Sequence, residues 1–289
     1  MQDMNVCADS ASHIDDSAAL TYSPARTYRS RTLPMHPEKL QAFVLSASNY
    51  GENDRIVSLF TLEHGRISGF ARAARSSRKR FGPALEPFAR INLQLLRKEG
   101  FSSLRQADII TLHPAIRGSL SAIAHALYAC ELIESLTPEA HPLPRLYRLL
   151  ASYLERLEVV PGNQDDRRLF EINLLNILGY RPSLEHCSRC GSVYGDRGAR
   201  LQSDGDLACH SCAKNGRTVT TTALHGLRAC LGTGRFGLVT FTDDEHVQIA
   251  GLLDETLTLH AGRKLKSLDF LRQSGSLHRA AVPLTFRHS

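Results

Sequence analysis

A chain of 289 residues with 42% hydrophobic residues is long enough for roughly two domains with real cores. Its 35 Lys and Arg against 29 Asp and Glu leave a net charge of +6, so the placement of the cations says more about partners than their sum. The first 35 residues hold no apolar run that could serve as the core of a signal peptide, and no stretch approaches the roughly 20 apolar residues of a membrane span, which excludes a secreted or membrane-spanning reading and predicts a soluble, cytoplasmic protein.

Residues 1–36 are rich in Ser, Ala, Thr and Asp, show no period, and are expected to form a disordered extension, because they have too little apolar surface to offset chain entropy. From Pro37 the pattern changes. Residues 41–47 place Phe43, Leu45 and Ala47 on alternate positions and predict a strand. Tyr50-Gly51-Glu52-Asn53-Asp54 is turn chemistry, 55–61 a second strand, and His64-Gly65 a tight turn into a third over 66–72. In 89–95 Ala89, Ile91, Leu93 and Leu95 share one face, and 103–111 supplies a fifth strand. Five short strands with a longer insertion between the third and fourth fit a small closed β-barrel of the OB type over 37–112; the period alone fits an SH3-like barrel nearly as well.

After His113-Pro114 the period becomes helical, so the chain is read as α+β, with a helical domain over 113–186 and 213–272. Leu120, Ile123, Leu127 and Cys130 form one stripe, and Leu146, Leu150, Tyr153 and Leu157 another that stops at Pro161-Gly162. Asp165 or Asp166 is placed to cap a third helix carrying Leu169, Phe170, Asn173, Leu174 and Ile177, with Gly179 as its stop. Two further helices are predicted at about 222–231 and 243–261; the second buries Ile249, Leu252, Leu253, Thr256 and Leu257 and has an acidic start and a basic finish. Residues 273–289 are expected to be a disordered tail.

Between these helices stand Cys187-Ser188-Arg189-Cys190 and Cys209-His210-Ser211-Cys212, two C-x-x-C pairs separated by a stretch in which Gly191, Gly195, Gly198 and Gly205 mark turns. Two such turns facing each other make the four-thiolate cage that Zn²⁺ prefers, so 187–212 is predicted to be an inserted zinc ribbon with one structural zinc held by Cys187, Cys190, Cys209 and Cys212. A redox pair needs only one C-x-x-C at a strand-to-helix junction. His186 and His210 are neighbours that could replace a cysteine as ligands. The remaining Cys7, Cys130 and Cys230 are scattered, as in a reducing compartment.

The strongest charge feature is residues 66–80, with Arg66, Arg72, Arg75, Arg78, Lys79 and Arg80 and no acidic residue. It coincides with the barrel insertion, where flexible cations suit contacts to phosphates, and Phe70, Phe81 and Phe88 are candidates for stacking on bases, although a core position is the commoner place for each. The bland alternative for the run is a solvated loop. Catalytic patterns are missing: there is no phosphate loop, no G-x-S-x-G elbow and no cluster of carboxylates for two metals. His36-Pro37-Glu38 matches the H-x-E of zinc deaminases, but the first C-x-x-C follows His186 and lies far downstream, and four cysteine ligands leave no position for water. No catalytic residue is assigned.

The run Tyr50-Gly51-Glu52-Asn53-Asp54-Arg55, then Phe60-Thr61-Leu62-Glu63-His64-Gly65-Arg66 and Ala84-Leu85-Glu86-Pro87-Phe88, resembles the N-terminal barrel of the bacterial RecO family. Phe170-Glu171 through Leu178-Gly179-Tyr180-Arg181-Pro182, leading into Cys187, and the ending Arg263-Lys264-Leu265-Lys266-Ser267 resemble the same family, over roughly 37–272. The resemblance implies an OB-fold domain, a helical domain and a zinc-finger insertion. It implies DNA repair by recombination: binding of single- and double-stranded DNA, annealing of complementary strands, and work with RecR (and RecF in many bacteria) to load RecA on strands coated by single-strand binding protein, which is engaged through its acidic C-terminal tail. It also implies a place in the cytoplasm with the nucleoid. A zinc-ribbon adaptor between proteins, with the basic loop incidental, is the alternative reading.

Overall fold

The computed structural model describes residues 36–97 and 102–280, with side chains as far as Gln273. The extension expected at 1–36, apart from its last residue, and positions 281–289 of the expected tail lie outside the described residues.

Five strands, β1 (Glu38–Tyr50), β2 (Asp54–Thr61), β3 (Gly65–Ala71), β4 (Arg90–Leu96) and β5 (Ser102–Thr111), close into a barrel in the order β1-β2-β3-β5-β4. Successive strands pair as antiparallel hairpins until β3, after which the chain skips a place: β5 lies between β3 and β4 and runs parallel to β3 through Gly69–Ser102 and Phe70–Ser103. That crossover is the five-stranded Greek-key order of the OB barrel and decides between the two barrel types that the period leaves open. Closure is tight where β3 meets β5. A Cβ at Gly69 would lie 2.0 Å from Cδ1 of Leu104, so any larger residue there would have to displace that buried side chain. Inward-facing Ala42, Val44, Val57, Leu59, Ile67, Ile91, Leu93 and Leu104 fill the barrel, and a 3-10 turn at Gly82–Leu85 plugs it with Phe81, Ala84 and Leu85.

β1 is long enough to serve two cores because a bulge between Val44 and Ser46 shifts its alternation. Outside the barrel, Phe43 and Phe60 pack on Tyr147, with ring centroids 5.0 and 6.0 Å away, and join the helical core with Leu45 and Phe88. The helices are α1 (Pro114–Arg117), α2 (Leu120–Leu136), α3 (Pro144–Val159), α4 (Gln164–Leu178), α5 (Thr221–Thr233), α6 (Asp243–Ala261) and α7 (Lys266–Ala280). The predicted apolar faces of α3 and α6 are buried in full. Helix α2 differs. Of its predicted stripe only Cys130 is buried and Leu120 is 54% exposed, while Ala122, Ala124, Ala126, Tyr128, Ala129, Leu132 and Ile133 pack inside. Alanines let neighbours approach a helix on several sides, and a helix apolar nearly all round has no single stripe.

Two further expectations are corrected. The cap of α4 is Asn163, whose side chain accepts from the Asp166 amide, so Asp165 and Asp166 fall in the first turn and complement the dipole there. Gly179 does end α4, at a φ of 81°. Helix α7 continues through Ala280, eight residues into the segment 273–289 read as a disordered tail; its polar sequence concealed a helix whose Leu268 and Leu271 are buried.

Between α4 and α5 lies a small sheet of β6 (Ala199–Leu201), β7 (Leu207–Ala208) and β8 (Arg217–Val219) in the order β7-β6-β8. Strand β8 lies past the second cysteine pair, so this module closes later than residue 212. Leu201, Leu207 and Val219 anchor it on the helical core. No helix among the described residues is long and apolar enough to cross a membrane.

The helical core carries a charged centre. Arg168 and Glu171 of α4 are both fully buried; Arg168 donates to Glu171 at 2.6 Å and to Asp254 of α6 at 3.0 Å, and the Tyr128 hydroxyl of α2 donates to Glu171 at 2.7 Å. Burial disfavours the charged guanidinium, but Glu171 and Asp254 outweigh it and hold its pKa above the usual range. Arg272 of α7 closes on the other oxygen of Asp254 at 2.9 Å. Replacing Arg168 by Met removes the cation between the buried Glu171 and the half-buried Asp254, leaving Glu171 with the Tyr128 hydroxyl and Arg167 at 3.5 Å, and a loss of about 3 kcal/mol is expected, read as a lower urea midpoint at an unchanged slope.

Candidate nucleic-acid interface and cysteine cluster

The insertion after β3 is held at its root and free at its tip. Its backbone turns back on the β1–β2 turn: the Arg75 amide donates to the Asn53 carbonyl at 3.0 Å, and the Ala73 amide to the Asp54 carboxylate at 2.7 Å. Two of the predicted cations help to build the loop. Arg75 donates to the Glu52 carbonyl at 2.8 Å, and Arg80 to the Ser77 hydroxyl and the Arg72 carbonyl, both at 2.9 Å. Arg72, Arg78 and Lys79 are exposed, and their side chains have no hydrogen-bond or ion-pair partner among the described residues. A groove of about 490 Å³ beside them is lined by Arg55, Arg75, Arg78, Pro83 and Glu86, where Glu86 is paired with Arg55 at 3.3 Å.

Arg66 is not brought into this cluster. It stands at the other end of β3, about 20 Å of strand away from Arg72. There its Nε donates to the Thr137 carbonyl at 3.0 Å, and its own carbonyl accepts from Ala140 at 2.7 Å. It fastens the barrel to the α2–α3 connection. In its place the fold adds Arg105, which the strand pattern concealed. In β5 Gln106 pairs with Gln94 and Leu104 with Leu95, so Arg105 is the extra residue of a bulge. It is exposed, unpaired among the described residues, and two positions from Ala107, whose amide donates to the Arg80 carbonyl.

The three candidate aromatics separate. Phe81 is 2% exposed and plugs the barrel; Phe88 is 3% exposed, with Arg117 lying 4.5 Å over its ring. Neither has a face to offer a base. Phe70 is partly exposed and meets the ring of Tyr50 edge-on at 5.7 Å. Tyr50 is 58% exposed. The alternating pattern gave no reason to select it, since it closes β1 at the edge of a turn.

The four cysteines of the two pairs come together, with their Sγ atoms all within 4.8 Å of one another. The Cys190–Cys209 separation is 3.8 Å, about the edge of a tetrahedron whose centre lies 2.3 Å from each sulfur. Each pair turns back on itself: the Gly191 amide donates to the Cys187 carbonyl, and the Ala213 amide to that of Cys209. The amides of Arg189 and Cys209 point at the Cys187 sulfur at 3.4 and 3.2 Å, as donors to a thiolate. Burial opposes ionisation of Cys187, but these amides outweigh it and bring its pKa down to about 6. The hydrogen bond with Cys190 pushes Cys212 up to about 12. A donor set that ionises only in part with protons alone is one that a divalent cation completes, so the cluster fits zinc. His186 and His210 are not part of it; His210 faces the Arg197 carbonyl at 3.1 Å. No disulfide forms among the described cysteines. Glu38, the acid of the deaminase-like triplet, is in β1 and pairs with His64 at 2.9 Å.

Comparison with known proteins accounts for both halves of the chain. Residues 35–113 match the family model described as Recombination protein O N terminal, and 117–269 the one described as Recombination protein O C terminal. The DNA repair protein RecO of Pelobacter propionicus is 60% identical over 240 residues, which is 83% of this chain and 98% of that protein. The proteins of the same name from Geobacter sulfurreducens and Myxococcus xanthus are 48% and 39% identical, over 83% and 81% of this chain and 99% and 96% of theirs.

Proposed function

Because this chain belongs to the RecO family of DNA repair proteins, we propose that it works as a non-enzymatic recombination mediator in the cytoplasm. It binds single- and double-stranded DNA at the barrel, anneals complementary strands, and acts with RecR, and with RecF where present, in loading RecA onto strands coated by single-strand binding protein. The observation that carries this reading is the set Arg72, Arg78 and Lys79, exposed and without partners on a loop whose root is pinned to the barrel. Cations already satisfied by protein carboxylates release few counterions on meeting a phosphate; unpaired ones release the most. Contacts of this kind are strong in sum and individually weak, so a strand can be exchanged without being lost. Bringing two polyanions together requires that neutralisation, and no covalent step is needed.

Zinc at Cys187, Cys190, Cys209 and Cys212 is structural in this reading. The metal supplies a four-way cross-link and the charge that lets the four thiols ionise together. This chain's own part is the two amide-lined turns that present the sulfurs, and the apolar side of the small sheet that seats the module on the helices.

The acidic C-terminal tail of single-strand binding protein is assigned to the helical side. A pocket of about 530 Å³ between β1, α2 and α7 is lined by Leu45, Ala47, Pro87, Leu127 and Phe270, with Arg263 and Lys266 at its rim. Its carboxylates are already engaged: Glu131 accepts from Arg263 and from the Lys266 and Ser267 amides, and Glu134 from Ser46. An apolar floor with basic groups above it suits an acidic peptide with an apolar end.

Three measurements test these assignments. In filter binding of a single-stranded oligonucleotide, the triple substitution of Arg72, Arg78 and Lys79 by Ala is expected to weaken binding and to reduce the slope of log K against log salt by about 2; an unchanged affinity and slope would remove the loop from the DNA site. Metal analysis is expected to find one Zn²⁺ per chain, absent from a variant with Cys187→Ser and Cys209→Ser, and a chelator is expected to lower hydrogen-exchange protection in β6–β8 first. Phe270→Ala is expected to weaken binding of a peptide copy of the acidic tail by roughly fivefold or more while oligonucleotide binding stays as it was.

A further inference from the structure

The outer face of β1–β2–β3 is built unlike the rest of the barrel. Cross-strand partners share a face, and one row here is Ser46, Ser58 and Ser68, the next Ser48, Ile56 and Phe70. Tyr50, opposite Asp54, ends the sheet. The serine row is short-chained and meets the helical side, where Ser46 donates to Glu134 and the Ser68 amide to Glu139. Beyond it the surface is open, and two rings stand above small neighbours: Tyr50, 58% exposed, and Phe70, partly exposed, at 5.7 Å and an interplanar angle of 78°. The Tyr50 hydroxyl makes no hydrogen bond among the described residues. A large ring more than half exposed on a strand, touching one other ring and with its hydroxyl unengaged among the described residues, contributes little to the fold.

The rings lie beside the cations. Phe70, Ala71 and Arg72 alternate partly exposed, buried and exposed, so Arg72 follows Phe70 on the outer face. The loop that carries Arg75 and Arg78 is hydrogen-bonded to Glu52, Asn53 and Asp54, in the turn that Tyr50 enters. A right-angled pair of rings presents one face and one edge, with cations placed to hold the chain of phosphates on either side.

We propose that Tyr50 and Phe70 form a subsite for one unpaired nucleobase, stacked on an exposed ring face while Arg72 and Arg78 hold the adjoining phosphates. The subsite rests on the DNA-binding reading above and deepens it. Stacking is tolerant of sequence, because every base has a π-face. It is intolerant of duplex, because a paired base has both faces covered by its neighbours. The cations alone hold either form of DNA; the rings bias the barrel toward a strand that is unpaired, and release it once pairing covers the base. That is the direction a strand-annealing protein requires.

The test uses the full chain with its metal, an oligothymidylate, and an abasic oligodeoxynucleotide of the same length. Tyr50→Ala is expected to lose about tenfold in affinity for the oligothymidylate with an unchanged salt slope, and to bind the abasic strand as the unaltered chain does. Tyr50→Phe keeps the affinity. The chain has no tryptophan, so Tyr50→Trp gives a single reporter whose fluorescence is expected to be quenched by the oligothymidylate and left unchanged by the abasic strand. Equal losses on both strands, or binding of the oligothymidylate without quenching, would overturn the subsite and leave the basic loop standing. Failure of the unaltered chain to bind either strand at low salt would overturn the DNA reading and the subsite with it. Because Tyr50 is exposed, its variants are expected to melt with the unaltered chain, and a variant that does not is replaced in the comparison by Tyr50→Phe against Tyr50→Trp.

Discussion

Helix α2 is buried on most of its sides, and four of its polar groups find their partners in other elements. That constraint organises the molecule. Tyr128 reaches Glu171 on α4, Glu131 takes the start of α7, Glu134 accepts from Ser46 on β1, and the end of the helix offers the Thr137 carbonyl to Arg66 on β3. Four parts of the chain, far apart in sequence, are each tied to one helix by a bond that is expensive to leave unmade. The apolar contacts of Phe43, Phe60 and Tyr147 supply adhesion between barrel and helices, and the polar ties supply register.

This division explains why the two functional surfaces sit where they do. One end of the barrel is committed to α2 and α3, and Arg66 belongs to that end. At the opposite end, with the β1–β2 turn and the insertion after β3, Arg72, Arg78 and Lys79 are without partners among the described residues. The cysteine module lies at neither end. It is seated by Leu201, Leu207 and Val219 on the helices, more than 100 residues downstream of the basic loop.

What could be read in the sequence follows from which physical signals are local. The strands were legible because alternation records burial on one side of a sheet, and α6 because its capping box, apolar stripe and charge gradient agree. The cysteine quartet was legible because a metal cage leaves its spacing in the chain. What was missed depends on packing between distant segments. In α2 the stripe of Leu120, Ile123 and Leu127 proved to be the less buried side, because its alanines let neighbours pack around the rest. Arg66 read as one of a basic run until its partner proved to be a carbonyl 71 residues on. Phe81 and Phe88 looked available until the barrel closed over one and Arg117 over the other. Arg105 was hidden by a bulge, and α7 by a polar sequence whose few leucines join the core on the side of α2.

Glu131 has a consequence of a different kind. Its carboxylate is partly buried, yet the Ser267 hydroxyl and the Ser267 and Lys266 amides, with Arg263, hold its pKa below the usual range. It therefore adds an anion at the start of α7, where the helix's own first turn already carries Asp269, and it is also a wall of the pocket beneath. The last helix is latched to the body of the protein through the same group that lines the cleft. The cleft and the latch share Glu131, so the group that fastens the start of the final helix is also one that shapes the cleft.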